Sequence, residues 1–329
     1  MKKKWMAICL LLMLVLTACS SQEKNDGGKE DADQKIENAE NNTDPKEEEP
    51  KVDPAVVGKT FASGDYEYTV QEDGTVWISS YTGSEAQLTL PTELDDYQVS
   101  GVGAEAFGTN DTLQALVVPG QIKSIGDKAF NGCGKLQSVT LEEGVESIGN
   151  EAFFLSSISE VNLPDSICHL ESFVFPLVCQ RESNGLFYVG DFVVGVSDNF
   201  YGHVVLEPNT KGIADLAFYN YDSIYGDVAA AKSKYQILNE EVEFPEGMRY
   251  IGQFAFLGQV ADKVRSYKIP SSVEEIGEFA IASHVSDGHY AFFDEFSDGG
   301  NECKVYVTEG SAAEEYAKTN GLNYVISKN

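Results

Sequence analysis

The chain has 329 residues, which suffices for one long repeat structure or for two globular domains. Acidic residues outnumber basic ones by 53 to 23, and the formal net charge at pH 7 is −30. Because such a chain repels the phosphate backbone, the composition argues against nucleic-acid binding. With only four histidines, the chain also offers few groups for acid–base or metal chemistry.

The N-terminus has the pattern of a secretory signal peptide. Three lysines at positions 2–4 precede an apolar run to about Leu16, which is short and is followed by a polar tract. The run ends in Leu-Thr-Ala-Cys19, which resembles the lipobox of bacterial lipoproteins. The resemblance implies removal of residues 1–18 and a diacylglyceryl group on the Cys19 thiol; the alternative is an ordinary signal peptide with a chance cysteine. We therefore expect a protein anchored by lipid to the cell membrane and facing the extracellular side.

Residues 19–57 are predicted to form a disordered acidic linker that starts at the lipidated cysteine. The tract is rich in Glu, Asp, Lys and Asn and is almost empty of aromatic and β-branched residues. Such a composition buries too little apolar surface to offset the entropy of the chain. The linker therefore gives the folded part reach away from the lipid surface.

The folded part is expected to occupy residues 58–329 and to begin with a hairpin. Tyr66–Val70 alternates between apolar and polar residues, an Asp-Gly pair ending at Gly74 signals a turn, and Val76–Ile78 returns as the second strand.

A repeat follows the hairpin, and its period decides the fold. Phe107, Phe130 and Phe153 each end a Val/Ile-Gly-x-x-Ala-Phe segment, and they lie 23 residues apart. A decayed copy ends 22 residues later at Phe175. A fixed period of this length is the signature of stacked repeats, none of which can bury its own apolar face alone. Later copies end at Phe218, Phe256 and Ile281.

Each repeat is predicted to contain a short strand, a corner and one turn of helix. At Leu136–Leu141 the Leu-x-x-Val-x-Leu pattern indicates a strand, with equivalents at residues 113–118 and 158–163. The corner glycine, Gly126 in the clearest copy, is expected to let the backbone change direction. Asp127 is expected to cap a helical turn that points Ala and Phe into the core.

The regular copies are interrupted at residues 166–200, 220–240 and 282–302. Inside the first interruption, Gly185–Gly195 is predicted to form a hairpin insertion that replaces the helical turn of one repeat.

The C-terminal segment has the pattern of a cap. Ser311 followed by Glu314 forms a capping-box pattern, and Gly321 is a stop signal for the helix between them. Asn323–Ile326 is then expected to form a strand that covers the open end of the stack, which a solenoid requires.

The Ile-Gly-x-x-Ala-Phe segments, the Leu-x-x-Val-x-Leu strands and the period together resemble the BspA-type leucine-rich repeat family. The resemblance covers roughly residues 65–326 and includes the closing segment Gly310–Tyr324. It implies an α/β repeat solenoid, a leucine-rich-repeat-like ladder of short parallel strands and helical turns, with an N-terminal hairpin and a C-terminal helix–strand cap. It also implies adhesion-type roles at the cell surface.

No catalytic motif is recognisable in the sequence, so we expect a non-enzymatic protein without a cofactor or a metal. The polar stretch at 282–302 is interpreted as a solvated insertion, although its oxygen-rich composition leaves Ca²⁺ binding open. His169 is interpreted as a structural or exposed residue rather than a ligand. Cys133 is interpreted as a small core residue. A bridge between Cys168 and Cys179 stays open.

Two kinds of surface are candidates for binding. Alternate strand residues point away from the core and form rows along the stacked sheet, which is the extended surface that solenoids use; plain solvent-facing polarity is the alternative. Tyrosines clustered in an interrupted region favour contact with protein or sugar. The strand positions are Ser138, Thr140, Glu160, Asn162, Glu243 and Lys268, and the tyrosines are Tyr219, Tyr221 and Tyr225.

The function expected from these features is a surface-displayed binding or adhesion module for an extracellular protein or glycan. The alternative is a lipoprotein that captures a solute or substrate in a pocket formed by the insertions at 185–240. A concave pocket lined by aromatic and carboxylate groups would favour the alternative. In either case we expect a monomer that binds no nucleic acid and contacts the membrane through its lipid anchor.

Overall fold

Residues 49–329 form one compact unit in the computed structural model of the chain. The structure describes residues 52–197, 200–218, 236–237, 241–256, 264, 266–281, 283–286, 289–292 and 303–327. For residues 201, 236–237, 283–286 and 289–292 it describes the backbone only.

Short strands dominate the described part of the chain, and one α-helix lies near its C-terminal end. In chain order the strands are β1 (Thr60–Ser63), β2 (Tyr66–Val70), β3 (Val76–Tyr81), β4 (Gln87–Thr89), β5 (Glu93–Leu94), β6 (Tyr97–Val102), β7 (Ala115–Val118), β8 (Ser124–Ile125), β9 (Ser138–Leu141), β10 (Ser147–Ile148), β11 (His169–Leu170), β12 (Arg181–Ser183), β13 (Leu186–Val189), β14 (Phe192–Val196), β15 (Tyr201–Gly202), β16 (Gly212–Ile213), β17 (Gln236–Ile237), β18 (Glu241–Glu243), β19 (Tyr250–Ile251), β20 (Ser266–Lys268), β21 (Glu275–Ile276), β22 (Ser283–Ser286), β23 (His289–Phe292), β24 (Lys304–Val307) and β25 (Asn323–Ile326). Helix α1 spans Ala312–Thr319, and a 3₁₀ turn spans Leu177–Cys179.

The strands stack in two series, as a solenoid requires. The corner strands form a sheet in the order β1-β2-β3-β6-β8-β10-β11, with β5 paired to β6, and a second sheet in the order β12-β13-β14-β16-β19-β21. The longer repeat strands form the sheets β4-β7-β9 and β18-β20-β24-β25. The pairs β15-β17 and β22-β23 are separate. Successive repeats pair in parallel and in register, so the predicted ladder of short parallel strands is confirmed.

The predicted N-terminal hairpin is present and has one more strand than expected. Strand β2 pairs antiparallel with β3, and β1 pairs antiparallel with β2. Strand β3 then pairs in parallel with β6, which joins this meander to the first corner of the ladder. Val52 and Val56 also pack against the core.

The predicted helical turn after each corner is wrong. Lys128 and Glu151 have φ values of 56° and 55°, so the segment leaves the right-handed helical region at its second residue. The backbone instead bonds to the next repeat: the Phe107 amide donates to Ala129 O at 2.7 Å, and the Phe130 amide donates to Ala152 O at 2.8 Å. These turns therefore form a third, hydrogen-bonded side of the ladder.

Asp127 also has a different partner from the one expected. Its carboxylate does not cap a helix; Oδ1 accepts from the amide of Asn150, in the following repeat, at 3.2 Å. The side chain thus joins two repeats at the corner.

The corner glycines allow close approach of the preceding repeat. A Cβ atom on Gly126 would lie 2.9 Å from Ala104 N and 3.0 Å from Val102 O, although Gly126 does not have a positive φ. The reason for glycine is therefore the space beside the neighbouring backbone rather than a change of chain direction.

The repeat phenylalanines form a continuous stack inside the first half of the ladder. The ring centroids of Phe107 and Phe130 are 4.6 Å apart, those of Phe130 and Phe153 are 5.1 Å apart, and those of Phe153 and Phe175 are 5.3 Å apart. The first three rings are at most 1 % exposed. Offset aromatic pairs add about 0.5–1.5 kcal/mol each to the gain from burial, so the stack is a main source of stability.

The strand predicted at residues 158–163 is absent. Ser157 N still donates to Leu136 O of the preceding repeat, but the following residues do not pair with β9. Where the next repeat would lie, the chain forms β12–β14, which pair in the sheet that continues through β16, β19 and β21. Leu163 packs beside Gly190, in the turn between β13 and β14. The segment has apolar contacts but no pairing on either side.

The predicted hairpin insertion is confirmed. Strand β13 pairs antiparallel with β14, and β12 adds a third antiparallel strand. Strand β14 then pairs in parallel with β16, where the ladder resumes.

The C-terminal cap is as predicted. The Glu314 amide donates to Ser311 Oγ at 3.2 Å, and the Glu314 carboxylate accepts from the Gly310 amide at 2.7 Å. Gly321 has a φ of 66° just after the helix, as a C-terminal stop requires. Strand β25 pairs in parallel with β24 and closes this end of the sheet.

The structure answers two questions about the cysteines: whether Cys133 is buried and whether Cys168 pairs with Cys179. Cys133 is fully buried, as predicted, and burial raises the pKa of its thiol to about 11. Cys168 and Cys179 are both free thiols, so the bridge between them that the sequence left open is not formed.

Candidate functional site

The first half of the ladder has an uncharged outward face, formed by β4, β7 and β9. Ser138 and Thr140 are exposed there, as predicted. Register pairing places two rows side by side on this face. One row contains Gln87, Ala115 and Ser138, and the other contains Thr89, Val117 and Thr140.

The equivalent face in the second half is charged. Glu243 and Lys268 are exposed on β18 and β20, as predicted, and they pair in register. Lys268 Nζ lies 2.5 Å from Glu243 Oε1 and 2.7 Å from Glu241 Oε1. The hydrogen bond from Lys268 holds the pKa of Glu241 below its usual value. These carboxylates are therefore already paired with a cation.

The remaining predicted binding residues are not brought together. Glu160 and Asn162 are exposed, but they lie in the segment that does not form a strand. Tyr219, Tyr221 and Tyr225 lie outside the described residues, as do Cys19 and residues 20–51 of the predicted linker. The same holds for much of the region 185–240 that the capture alternative needs, and for the side chains of the stretch 282–302. Residues 52–57 are described and belong to the folded part, where Val52 and Val56 pack against the core.

A cluster that sequence reasoning missed lies around His169, where the two halves of the ladder meet. The Tyr250 hydroxyl donates to Asp215 Oδ1 at 2.5 Å and lies 3.2 Å from His169 Nε2. His169 Nε2 is 3.8 Å from Glu171 Oε1, and His169 Nδ1 is 3.7 Å from Glu275 Oε1. One imidazole thus faces three carboxylates and a phenol.

Repeat register explains how these residues meet. His169, Gly212, Tyr250 and Glu275 all occupy the position just before the corner Ile or Leu, where the regular copies have Ser147. Phe192 pairs in register with Gly212, and its ring covers that glycine, since a Cβ atom on Gly212 would lie 2.5 Å from Phe192 Cε1. The His169 and Tyr250 rings meet beside this pair, with centroids 4.5 Å apart. Aligning the repeats and comparing the residues just before each corner would have revealed this cluster from the sequence.

Burial and charge change the acidity of the cluster. Burial raises the pKa of Glu171 to about 7, and the negative charges of Asp127 and Asp215 act in the same direction. Burial also raises the pKa of Asp215, against the lowering effect of the Tyr250 hydrogen bond. For His169 burial lowers the pKa, but the hydrogen bond and charge of Glu275 and the other carboxylates outweigh it, and the net shift is upward.

Two general features bear on what the described residues can do. No group of three or more His, Cys, Asp or Glu side chains among them has an arrangement that could hold a metal ion. No helix in that part of the chain has both the length and the apolar character needed to cross a bilayer.

Comparison with solved structures gave several leucine-rich repeat proteins. One from Bacteroides capillosus has 25% identity and a TM-score of 0.34, covering 36% of this chain and 94% of its own. The leucine-rich repeat protein of T. pallidum has 16% identity and a TM-score of 0.34, covering 82% and 100%. A leucine-rich cell surface protein of Faecalibacterium prausnitzii has 17% identity and a TM-score of 0.35, covering 83% and 97%.

The amino-acid sequence was compared with curated proteins and with protein families. A search of curated proteins gave no match. A family described as "BspA type Leucine rich repeat region" matches in six copies, over residues 99–189 and 231–294. These ranges cover just under half of the chain and include the repeats that end at Phe107, Phe130, Phe153, Phe175, Phe256 and Ile281, but not the one that ends at Phe218. Over these two ranges the chain is similar to the BspA-type leucine-rich repeat family.

Proposed function

We propose that this protein is a lipid-anchored, non-enzymatic binding module of the BspA-type leucine-rich repeat family, displayed outside the cell to contact an extracellular protein or glycan. The uncharged strand face of β4, β7 and β9 is its contact surface. The anchor is the lipidated Cys19, and residues 20–51 give the ladder reach.

The observation that supports this proposal is the contrast between that face and the rest of the molecule. The chain has a formal net charge of −30, yet none of the three strands contains a charged residue. Their outward rows combine small hydroxyl, amide and apolar side chains in register. A flat strip without charge is cheap to dehydrate, because removing ionised groups from water is the costly step in forming an interface.

Binding can be tested with the 49–329 fragment, which contains the compact unit. The fragment is applied to a glycan array and to a panel of purified extracellular proteins, and any binder is then measured against two variants. Ser138→Glu places a charge on the strip, whereas Ser327→Glu places the same charge on an exposed serine near the opposite end of the ladder. We expect the first variant to weaken binding at least about tenfold, the effect of about 1.4 kcal/mol, and the second to leave it unchanged. Equal affinities for both variants would show that the strip is not the contact surface.

Anchoring is tested separately in a bacterial host. The full chain is expressed with a labelled fatty acid in the medium, and incorporation is compared between the unmodified chain and Cys19→Ser. We expect label and membrane fractionation in the first case and neither in the second. Label that persists in Cys19→Ser would contradict the anchor without affecting the binding proposal.

A further inference from the structure

The ladder is divided internally at one place. Its buried residues form two clusters: one spans residues 68–175 with Val189, Phe192 and Tyr250, and the other contains most later core residues. The first corner sheet ends at β11, and the second starts with the insertion β12–β14. Between β11 and β16 the backbone contact is a long hydrogen bond of 3.4 Å from the Asp215 amide to Leu170 O. The strand pairing is therefore interrupted between the two halves, although Val189, Phe192 and Tyr250 of the second half pack into the core of the first.

The His169 cluster bridges this division. His169 and Glu171 belong to the last repeat of the first half, while Asp215, Tyr250 and Glu275 belong to three repeats of the second half. The imidazole is the group that contacts both sets, at 3.2 Å from the Tyr250 hydroxyl and 3.7 Å from Glu275. Its side chain is 27% exposed, so protons reach it from solvent while water screens its contacts only in part.

The other ionisable groups around the cluster are mostly negative. Besides Glu171 and Glu275, which contact His169, and Asp215, which acts on it through its charge, the neighbouring corners contribute Asp127, Glu146 and Glu274. Two cations lie nearby, and both are already paired: the Arg249 guanidinium with Glu274 at 2.8 Å, and Lys211 Nζ with Asp165 Oδ1 of the first half at 2.5 Å. When His169 is neutral, Glu171, Asp215 and Glu275 therefore face one another across the division without a cation between them.

We propose that His169 makes the contact between the two halves of the ladder pH-sensitive, with the halves held together in mild acid and loosened as the pH rises. The relevant chemistry is proton binding from solvent, and no other ligand is needed. This inference is independent of the function proposed above.

The direction follows from the shifts of three groups. The pKa of His169 is raised above its ordinary 6.5, so its contribution is complete below 6.5 and is lost as the pH rises through the higher value in the folded protein. The pKa of Glu171 is raised from 4.5 to about 7, so the proton that lets it be buried without charge is lost over the same neutral range. The raised pKa of Asp215 has the same sign. All three favour the closed contact at the lower pH.

Hydrogen exchange at the Asp215 amide measures the contact between the two halves directly, because this amide donates to Leu170 O across the division. Exchange of the 49–329 fragment is measured at pH 6.0 and pH 8.5 and corrected for the intrinsic pH dependence of the chemistry. The Phe130 amide, bonded inside the first half, is the internal reference. We expect protection at Asp215 to fall by roughly threefold to tenfold between the two pH values relative to Phe130, since one pKa unit corresponds to a factor of about ten.

Two variants separate the proposal from a general loss of stability. His169→Gln should reduce protection at Asp215 more at pH 6.0 than at pH 8.5, because the glutamine amide keeps a polar group beside Tyr250 but cannot bind the proton. His203→Gln, at an exposed histidine, should change neither value. If His169→Gln does not fold, Glu275→Gln at a half-exposed position is used instead; it should lower protection at Asp215 at pH 6.0, where it removes a partner of the imidazole, and raise it at pH 8.5, where it removes a repelling charge. Equal losses at both pH values, or no loss at pH 6.0, would overturn the proposal.

Discussion

The corner glycines give the most direct test of how the ladder is packed, and Gly149→Ala is the clearest substitution. A Cβ atom there would lie 2.6 Å from Asp127 Oδ1, 2.7 Å from Asp127 N and 2.9 Å from Gly126 C. Two of these atoms belong to the backbone of the preceding repeat, which is fixed by its own hydrogen bonds and cannot give way cheaply. Overpacking of this kind costs about 1–3 kcal/mol.

A second cost comes from the Asp127 side chain. Its Oδ1 accepts from the Asn150 amide at 3.2 Å, and moving the carboxylate away from a new methyl group would break that bond. A hydrogen bond of this type contributes about 0.5–1.5 kcal/mol. We therefore expect Gly149→Ala to lower the free energy of unfolding by about 3 kcal/mol in total.

The matched control is Gly134→Ala. A Cβ atom at Gly134 would have its nearest neighbour, Gly132 O, at 3.9 Å, and Gly134 does not have a positive φ. This change is expected to be neutral or to stabilise the protein by about 0.4–1 kcal/mol, because it restricts the unfolded chain. Urea unfolding of the 49–329 fragment, followed by Trp77 fluorescence and by circular dichroism, measures both variants. If Gly149→Ala costs no more than Gly134→Ala, close approach is not the reason for glycine at the corners.

Three further changes test the core, the cap and the thiols. Phe130→Ala should lower the free energy of unfolding, measured in urea, by about 3–5 kcal/mol, because it removes the middle of the ring stack. The control Phe61→Ala, at a ring 37% exposed, should lower it by less than about 1 kcal/mol. Similar losses in the two variants would contradict a continuous stack. Ser311→Ala should cost about 1 kcal/mol through loss of the helix cap, and an unchanged midpoint would argue against it. Peptide mapping after iodoacetamide should find Cys168 modified in the native protein and Cys133 only after denaturation; early modification of Cys133 would mean that the core opens locally.

The parts of the fold that repeat could be predicted from the sequence. The spacing from Phe107 to Phe153 determined the stacking, because a residue that recurs at a fixed interval in a solenoid occupies the same place in each unit. The C-terminal helix cap could also be predicted, because Ser311, Glu314 and Gly321 act through local hydrogen bonds and backbone geometry.

The errors arose where local sequence is compatible with two structures. Asp-Lys-Ala-Phe suits a helical turn, and only the bonds from this segment to the next repeat hold Lys128 at positive φ. Likewise, the pattern at 158–163 satisfies a strand, but the segment does not pair with β9, and the chain after it forms the insertion β12–β14 in another sheet. Both outcomes are decided by the neighbour rather than by the segment.

The His169 cluster was missed for a different reason. His169 and Tyr250 are 81 residues apart, and each alone reads as an irregularity in a decayed or late copy. Their contact crosses the place where Phe192 and Gly212 pair in the same column. Chemistry that is assembled from several repeats becomes visible only when the copies are compared position by position.

The bonds between repeats have a consequence for how such a protein can change in length. The turn and corner of each regular unit bond to those of the next one, at an interval of 23 residues. Removing residues 127–149 would join Gly126 to Asn150 and restore an Ile-Gly-x-x-Ala-Phe segment without a new kind of contact. Recombination between copies can therefore add or delete whole units, and so alter the number of strands on the uncharged face, while the two ends of the ladder keep their caps.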